Sequence, residues 1–228
     1  MATALLVALC AGFYSCGGDN DETPLNNDDN SNISNENGNS VIVGTTAMVQ
    51  LKKVGALSTL ISDNVKFNIT DLRIMGDING DDIALIREMA GADVKGNETN
   101  GKLANLNLSN ANLVNGGIYY TGITQEVSSS NELWQYMFYK CGSLTSIVLP
   151  NNIAHIGAFA LSYSGITSFT IPNNIQTIGN EAFANCTKLE SIVIGNSIVS
   201  AAENMLDGCI NLKKIRMLSD NSTYTIEG

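Results

Sequence analysis

The sequence predicts an α/β solenoid, with short parallel strands stacked into a sheet on one side and short helices or turns on the other. Three observations lead to this class. The C-terminal part of the 228-residue chain falls into register with itself every 22 to 23 residues, a period that marks stacked coils. Each unit carries apolar residues as L-x-x-I-x-L, in which the final alternation is that of a strand burying one face. Each such strand runs into Pro/Gly-Asn-Asn/Ser, a cluster that turns the chain. Composition agrees: 44% of residues are apolar and 15% charged. That excludes a disordered polyelectrolyte and a basic nucleic-acid binder, so no nucleic-acid partner is expected. No run of 18 apolar residues occurs, so no transmembrane helix is expected.

From the N-terminus, Ala2 to Phe13 form a short apolar block read as the core of a signal peptide, residues 1–15. The block closes on Ser15-Cys16-Gly17, which resembles a bacterial lipobox. The resemblance implies that Cys16 is lipidated and becomes the first mature residue. A plain secretory peptide is the alternative, because no Lys or Arg precedes the apolar core. Residues 16–40 read as a disordered tether: from Gly17 to Ser40 the chain has eight Asn, six acids and no base. The whole chain carries 12 Lys and Arg against 22 Asp and Glu, net -10, and beyond residue 40 there remain 16 acids against 12 bases. The acidity therefore belongs mostly to the tether. Acid directly behind a lipidated Cys resembles the surface-export signal of Bacteroidetes lipoproteins, which implies an outer-membrane anchor and a cell-surface position. A periplasm-facing position is the alternative.

Residues 41–132 read as an N-terminal capping region of irregular repeats. Ile69-x-x-Leu72-x-Ile74 and Leu103-x-x-Leu106-x-Leu108 match position for position, 34 residues apart. Between them, Asp82 to Ala90 has helical apolar spacing, with Asp82 as the expected N-cap. Thr46 to Leu60 is too mixed in period to assign. Residues 133–228 hold the regular repeats. Their ladders are Leu144, Ile166, Leu189, Leu212; Ile147, Phe169, Ile192, Ile215; and Leu149, Ile171, Ile194, Met217. Ile156-Gly157 and Ile178-Gly179 recur further along each unit, and Ala182-Phe183 in the next stretch suits a single helical or 3₁₀ turn. A lone coil buries too little to offset its ordering entropy, so the coils must stack.

The pattern C-x-x-L-x-x-I-x-L-P-x-x-I-x-x-I-G-x-x-A-F, carried by Cys141 to Leu161 and Cys186 to Leu206, resembles the leucine-rich repeats of BspA-like bacterial surface proteins. The resemblance spans Leu133 to Met217. It implies a leucine-rich-repeat solenoid, and a non-enzymatic scaffold for adhesion or host interaction.

Catalytic chemistry finds little support in the residues. The single histidine, His155, has no acid or nucleophile near it in sequence and reads as a solvated loop residue. Cys141, Cys186 and Cys209 share one place, three residues before a ladder Leu, and read as stacked small side chains. A Cys186–Cys209 disulfide is a minor alternative. Asp77 to Glu88 mimics a calcium loop, but Asp82 stands where the turn needs Gly and Leu85 is a poor ninth residue. No cofactor and no metal site is expected.

A recognition strip remains. Residues between ladder positions point outward: Thr145, Ser146, Val148; Thr167, Ser168, Thr170; Glu190, Ser191, Val193; and Lys213, Lys214, Arg216. Small hydroxyls give way to a basic end that favours an anionic group. The sequence-level reading is a lipid-anchored binding protein for a protein or glycan ligand. The alternatives are a structural module without a ligand and an accessory domain of a glycan-processing system. The last coil has no recognisable polar cap, so residues 201–228 are expected to fray or to dock another chain.

Overall fold

A computed structural model of the chain describes residues 30–121 and 131–218. The expected signal peptide, Cys16, most of the expected tether and the final residues from 219 lie outside the described residues.

The chain begins as an antiparallel meander. β1 (Asn30–Asn35), β2 (Gly38–Val43) and β3 (Thr46–Leu51) pair in sequence order. This corrects the expected tether, because ordered strands start at Asn30 and not beyond residue 40. The segment NSNISNENGNS has too few apolar residues to read as a strand. Yet β2 pairs along its whole length with β3, and the buried Ser40 hydroxyl donates to the Leu60 carbonyl at 2.7 Å. Asn35 Oδ1 accepts the Asn37 N–H at 2.9 Å and tightens the hairpin turn.

From β3 onward the sheet is parallel. β4 (Asp71–Ile78), β5 (Asn105–Leu113) and β7 (Ser146–Val148) follow in order, with Leu72 opposite Leu106 and Leu106 opposite Ile147. The two capping repeats matched in the sequence are therefore neighbouring strands in register. β9 (Ser168–Thr170), β11 (Ser191–Ile194) and β13 (Lys214–Met217) form a second parallel group, with Phe169, Ile192 and Ile215 in one row. The break between β7 and β9 falls at the coil whose turn is one residue short. Ser164, and not a missing residue, holds the Cys place there: its hydroxyl lies 3.4 Å from Cys186 Sγ. The second repeat, read from sequence as lacking the place of Cys141, Cys186 and Cys209, therefore keeps it as Ser164, and the missing residue falls just after it.

The opposite side also differs from expectation. Besides turns it carries a second parallel sheet of two-residue strands: β6 (Glu132–Leu133), β8 (His155–Ile156), β10 (Thr177–Ile178) and β12 (Ser200–Ala201). Leu133, Ile156 and Ile178 point into the core from it. Gly157 and Gly179 follow these strands because the coils approach closely there. A Cβ on Gly179 would meet the Ala158 nitrogen at 2.7 Å. The expected single helical turn at Asn180 to Ala184 is instead a pair of hydrogen-bonded turns, with left-handed residues at Tyr136, Phe159 and Glu181, and again at Lys140, Tyr163, Asn185 and Gly208. The Asn-Asn corners also tie coils together. Asn151 Nδ2 donates to the Ser109 carbonyl at 2.9 Å, and Asn174 Nδ2 donates to the Ile153 carbonyl.

The helix α1 (Gly80–Met89) sits between β4 and β5. Asn79 is its N-cap, which corrects the expected Asp82. Asp82 is the reciprocal member of the capping box, and its buried carboxylate also accepts the N–H groups of Gly55 at 2.8 Å and Leu57 at 2.9 Å. The helix thereby holds the 3₁₀ turn Leu57–Thr59 of the preceding coil. At its other end Arg87, fully buried, donates to the carbonyls of Tyr136, Met137, Asp93 and Tyr139 at 3.0–3.1 Å. Four carbonyls stand in for solvent around this guanidinium and bind the cap to the first regular coil.

Candidate functional site

The parallel strands bury one row of side chains and present the alternate rows to solvent. On β7, β9 and β11 the buried residues are Ile147, Phe169 and Ile192, while Ser146, Val148, Ser168 and Thr170 are exposed. Two outward rows result. Ser168, Ser191 and Lys214 align, as do Thr170, Val193 and Arg216. Ser146 and Val148 hold the equivalent outward positions on β7, the edge of the neighbouring sheet.

The other members of the expected strip lie elsewhere. Thr145, Thr167, Glu190 and Lys213 occupy the corner before each strand, where the N–H of each of the last three reaches the carbonyl of the one before at 2.8–3.2 Å. Thr145 has its hydroxyl engaged by the Ala104 carbonyl at 3.1 Å, and Lys213 pairs with the exposed Glu190 at 3.5 Å. Of the basic end, only Lys214 and Arg216 stand on the sheet face. The structure thus divides the twelve expected residues between a face, which holds eight, and its rim, which holds four.

The same outward rows run on into the capping region, which the sequence reading did not include. Thr46, Asp71, Asn105 and Ser146 form one row across four strands. Met48, Arg73, Asn107 and Val148 form the other. These rows line a hollow of about 220 Å³. Asp71 is held by its neighbours, accepting from the Thr70 hydroxyl at 2.7 Å and from Asn105 Nδ2 at 2.8 Å. Asn107 Oδ1 accepts both the N–H and the hydroxyl of Ser109, at 3.0 and 2.7 Å, where the β4–β5 register shifts by a bulge. The signal for these residues was present in the 34-residue match. Only the pairing of β3, β4 and β5 shows that they share a face with β7.

The remaining candidates take structural places. His155 is on β8, not in a loop, with Nδ1 2.8 Å from the Thr177 hydroxyl and Glu132 beside it in register. Burial raises the Glu132 carboxyl above its usual range, and the charge of His155 pulls it the other way. Sequence distance hid this row, which lies on the outward face of the second sheet and lines neither this hollow nor the one at Lys52, Lys53 and Asp77. Cys141, Cys186 and Cys209 are free thiols. Cys186 donates to the Leu161 carbonyl and Cys209 to that of Phe183, each at 3.1 Å. Burial pushes Cys141 and Cys209 up to about 11, so neither is a ready nucleophile. In the calcium-like loop, Asp77 accepts from Asn112 and Asp82 from backbone N–H groups. Among the described residues no helix is long and apolar enough to cross a membrane.

Comparison with known proteins agrees with the repeat. Residues 121–227 match the BspA type leucine rich repeat region, in six copies. No curated protein matches the chain in sequence. Solved structures similar to it include a leucine-rich repeat protein from Bacteroides ovatus, with 20% identity, a TM-score of 0.42, and coverage of 67% of this chain and 38% of that one. A leucine-rich repeat protein from Eubacterium ventriosum has 13% identity and a TM-score of 0.46, covering 82% and 43%. A leucine rich cell surface protein from Faecalibacterium prausnitzii has 12% identity and a TM-score of 0.29, covering 86% and 77%. The chain spans about two fifths of the first two. The segment 121–227, whose described ladders stand in register as parallel strands, is thus similar to the BspA type leucine rich repeat region.

Proposed function

We propose that this chain is a non-enzymatic binding scaffold, anchored to the outer membrane through a lipid on Cys16 and facing the cell exterior, whose open sheet face contacts a protein or glycan. The observation that carries the reading is the alignment of outward positions in two rows, on β3, β4, β5 and β7 in one sheet and on β9, β11 and β13 in the next, with the hollow in the first. Small hydroxyls, amides and a few charges on such a face suit adaptable polar contact, whereas no convergent nucleophile and base lie in the hollow.

Two measurements test this reading. Protease treatment of intact cells, followed by detection of the chain, should remove it; survival of the chain until the outer membrane is broken would overturn the surface position. The full chain, applied to arrays of glycans and host matrix proteins, should bind a restricted set reproducibly. Turnover of a bound molecule would overturn the non-enzymatic reading, and binding to nothing would favour a structural module.

A further inference from the structure

Resting on the reading that the sheet face binds a ligand, we propose that the hollow around Arg73 is a site for an acidic sugar unit, a hexuronate whose carboxylate pairs with the Arg73 guanidinium. Two buried arginine Nε atoms lack a partner among the described residues, those of Arg73 and Arg87. Their settings differ. Arg87 has four carbonyls on its terminal nitrogens and serves the fold. The Arg73 guanidinium has no hydrogen-bond partner among the described residues, and none of the ion pairs there includes it.

An arginine partly withdrawn from water, with its fork unanswered, is matched by a planar carboxylate that accepts two parallel hydrogen bonds. The surroundings argue for a sugar as its bearer. Asp71, two residues earlier on the same face, forms no ion pair with Arg73; its two oxygens accept from Thr70 and Asn105. Its carboxylate keeps lone pairs for ligand hydroxyls. Asn107 has its oxygen occupied by Ser109, so its Nδ2 group is the donor presented beside Arg73. The Ser146 hydroxyl and the Val148 side chain add a polar and an apolar contact at the rim. At about 220 Å³ the hollow is smaller than the roughly 300–1,000 Å³ of drug-sized sites, so it takes one ring and its substituents.

The test is calorimetric titration of the full chain with oligomers of galacturonate and of glucuronate, with their neutral hexose counterparts, and with poly-glutamate as an acidic peptide. We expect a uronate to bind at least tenfold more tightly than its neutral counterpart, with affinity falling as salt rises. Arg73→Met should lose at least tenfold of that affinity, and Arg73→Lys should recover only part. The Arg73→Met melting temperature should equal or exceed the parent's, because the substitution removes a buried unpartnered group. Equal binding of acidic and neutral sugars, unchanged binding by Arg73→Met, or a marked fall in its melting temperature would overturn the assignment. Preference for poly-glutamate would overturn the sugar and leave a peptide in its place. If the arrays find a ligand that none of these variants affects, the proposed function stands and this site does not.

Discussion

Asp82 shows what a single position can do that its sequence context hides. Its place before an apolar run marks a helix start, and that much is legible. Its partners at Gly55 and Leu57 are not, because they lie in a segment of mixed period that only the fold brings near. Asp82→Ala leaves those two N–H groups and that of Asn79 without their acceptor. With ~1–3 kcal/mol for each unpaired buried donor, the variant should lose about 3 kcal/mol or more, read from denaturant unfolding. Burial raises the Asp82 carboxyl above its usual 3.8, against the pull of the three backbone donors. The folded state therefore holds this proton more tightly than the unfolded one. The contribution of the group is greatest below 3.8 and declines as pH rises through the raised value. The melting temperature of Asp82→Asn, measured from pH 3 to pH 6, should accordingly gain on the parent's as pH rises. A difference that stays constant or widens would show that the donors outweigh burial.

Among the elements, the long-spaced strands were legible and the short ones were not. The ladders through Leu189 and Ile192 hold because both residues are fully buried between neighbouring coils. Leu189→Asp or Ile192→Asp puts an unpaired charge there and should cost at least about 4 kcal/mol, enough to unfold the repeats in a circular dichroism melt. A melt within a degree or two of the parent would remove the ladder assignment. The second sheet escaped notice because two-residue strands with one apolar residue each have no period to read. Ile156-Gly157 and Ile178-Gly179 signal it only through the glycine that close coil approach demands. The hairpin β1–β2 escaped for the opposite reason: its composition is that of a tether, and its order comes from backbone pairing to β3.

For the whole molecule, burial of the central ladder holds until the last described strand. Ile192 on β11 is 0% exposed, whereas its counterpart Ile215 on β13 is 46% exposed, so the last described strand lacks the cover that each earlier one receives. The expectation of a frayed or docking end extends to residues 219–228, outside the described residues. At the other end, the capping region supplies three of the seven strands of the open face and all of the Arg73 hollow except Ser146 and Val148, so the regular repeats alone point to a strip too far toward the C-terminus. The central claim is that ligand meets this face and not the second sheet. Oxidative footprinting of the full chain, with and without its tightest array partner, tests it most directly. Protection should appear at Met75, the next outward position after Arg73 on β4, and at Val148 and Val193, with His155 of the second sheet and the neighbouring rings of Tyr139 and Tyr163 in the turns after it unchanged. Protection confined to His155, Tyr139 and Tyr163 would contradict it and place the binding surface on the opposite side of the coils.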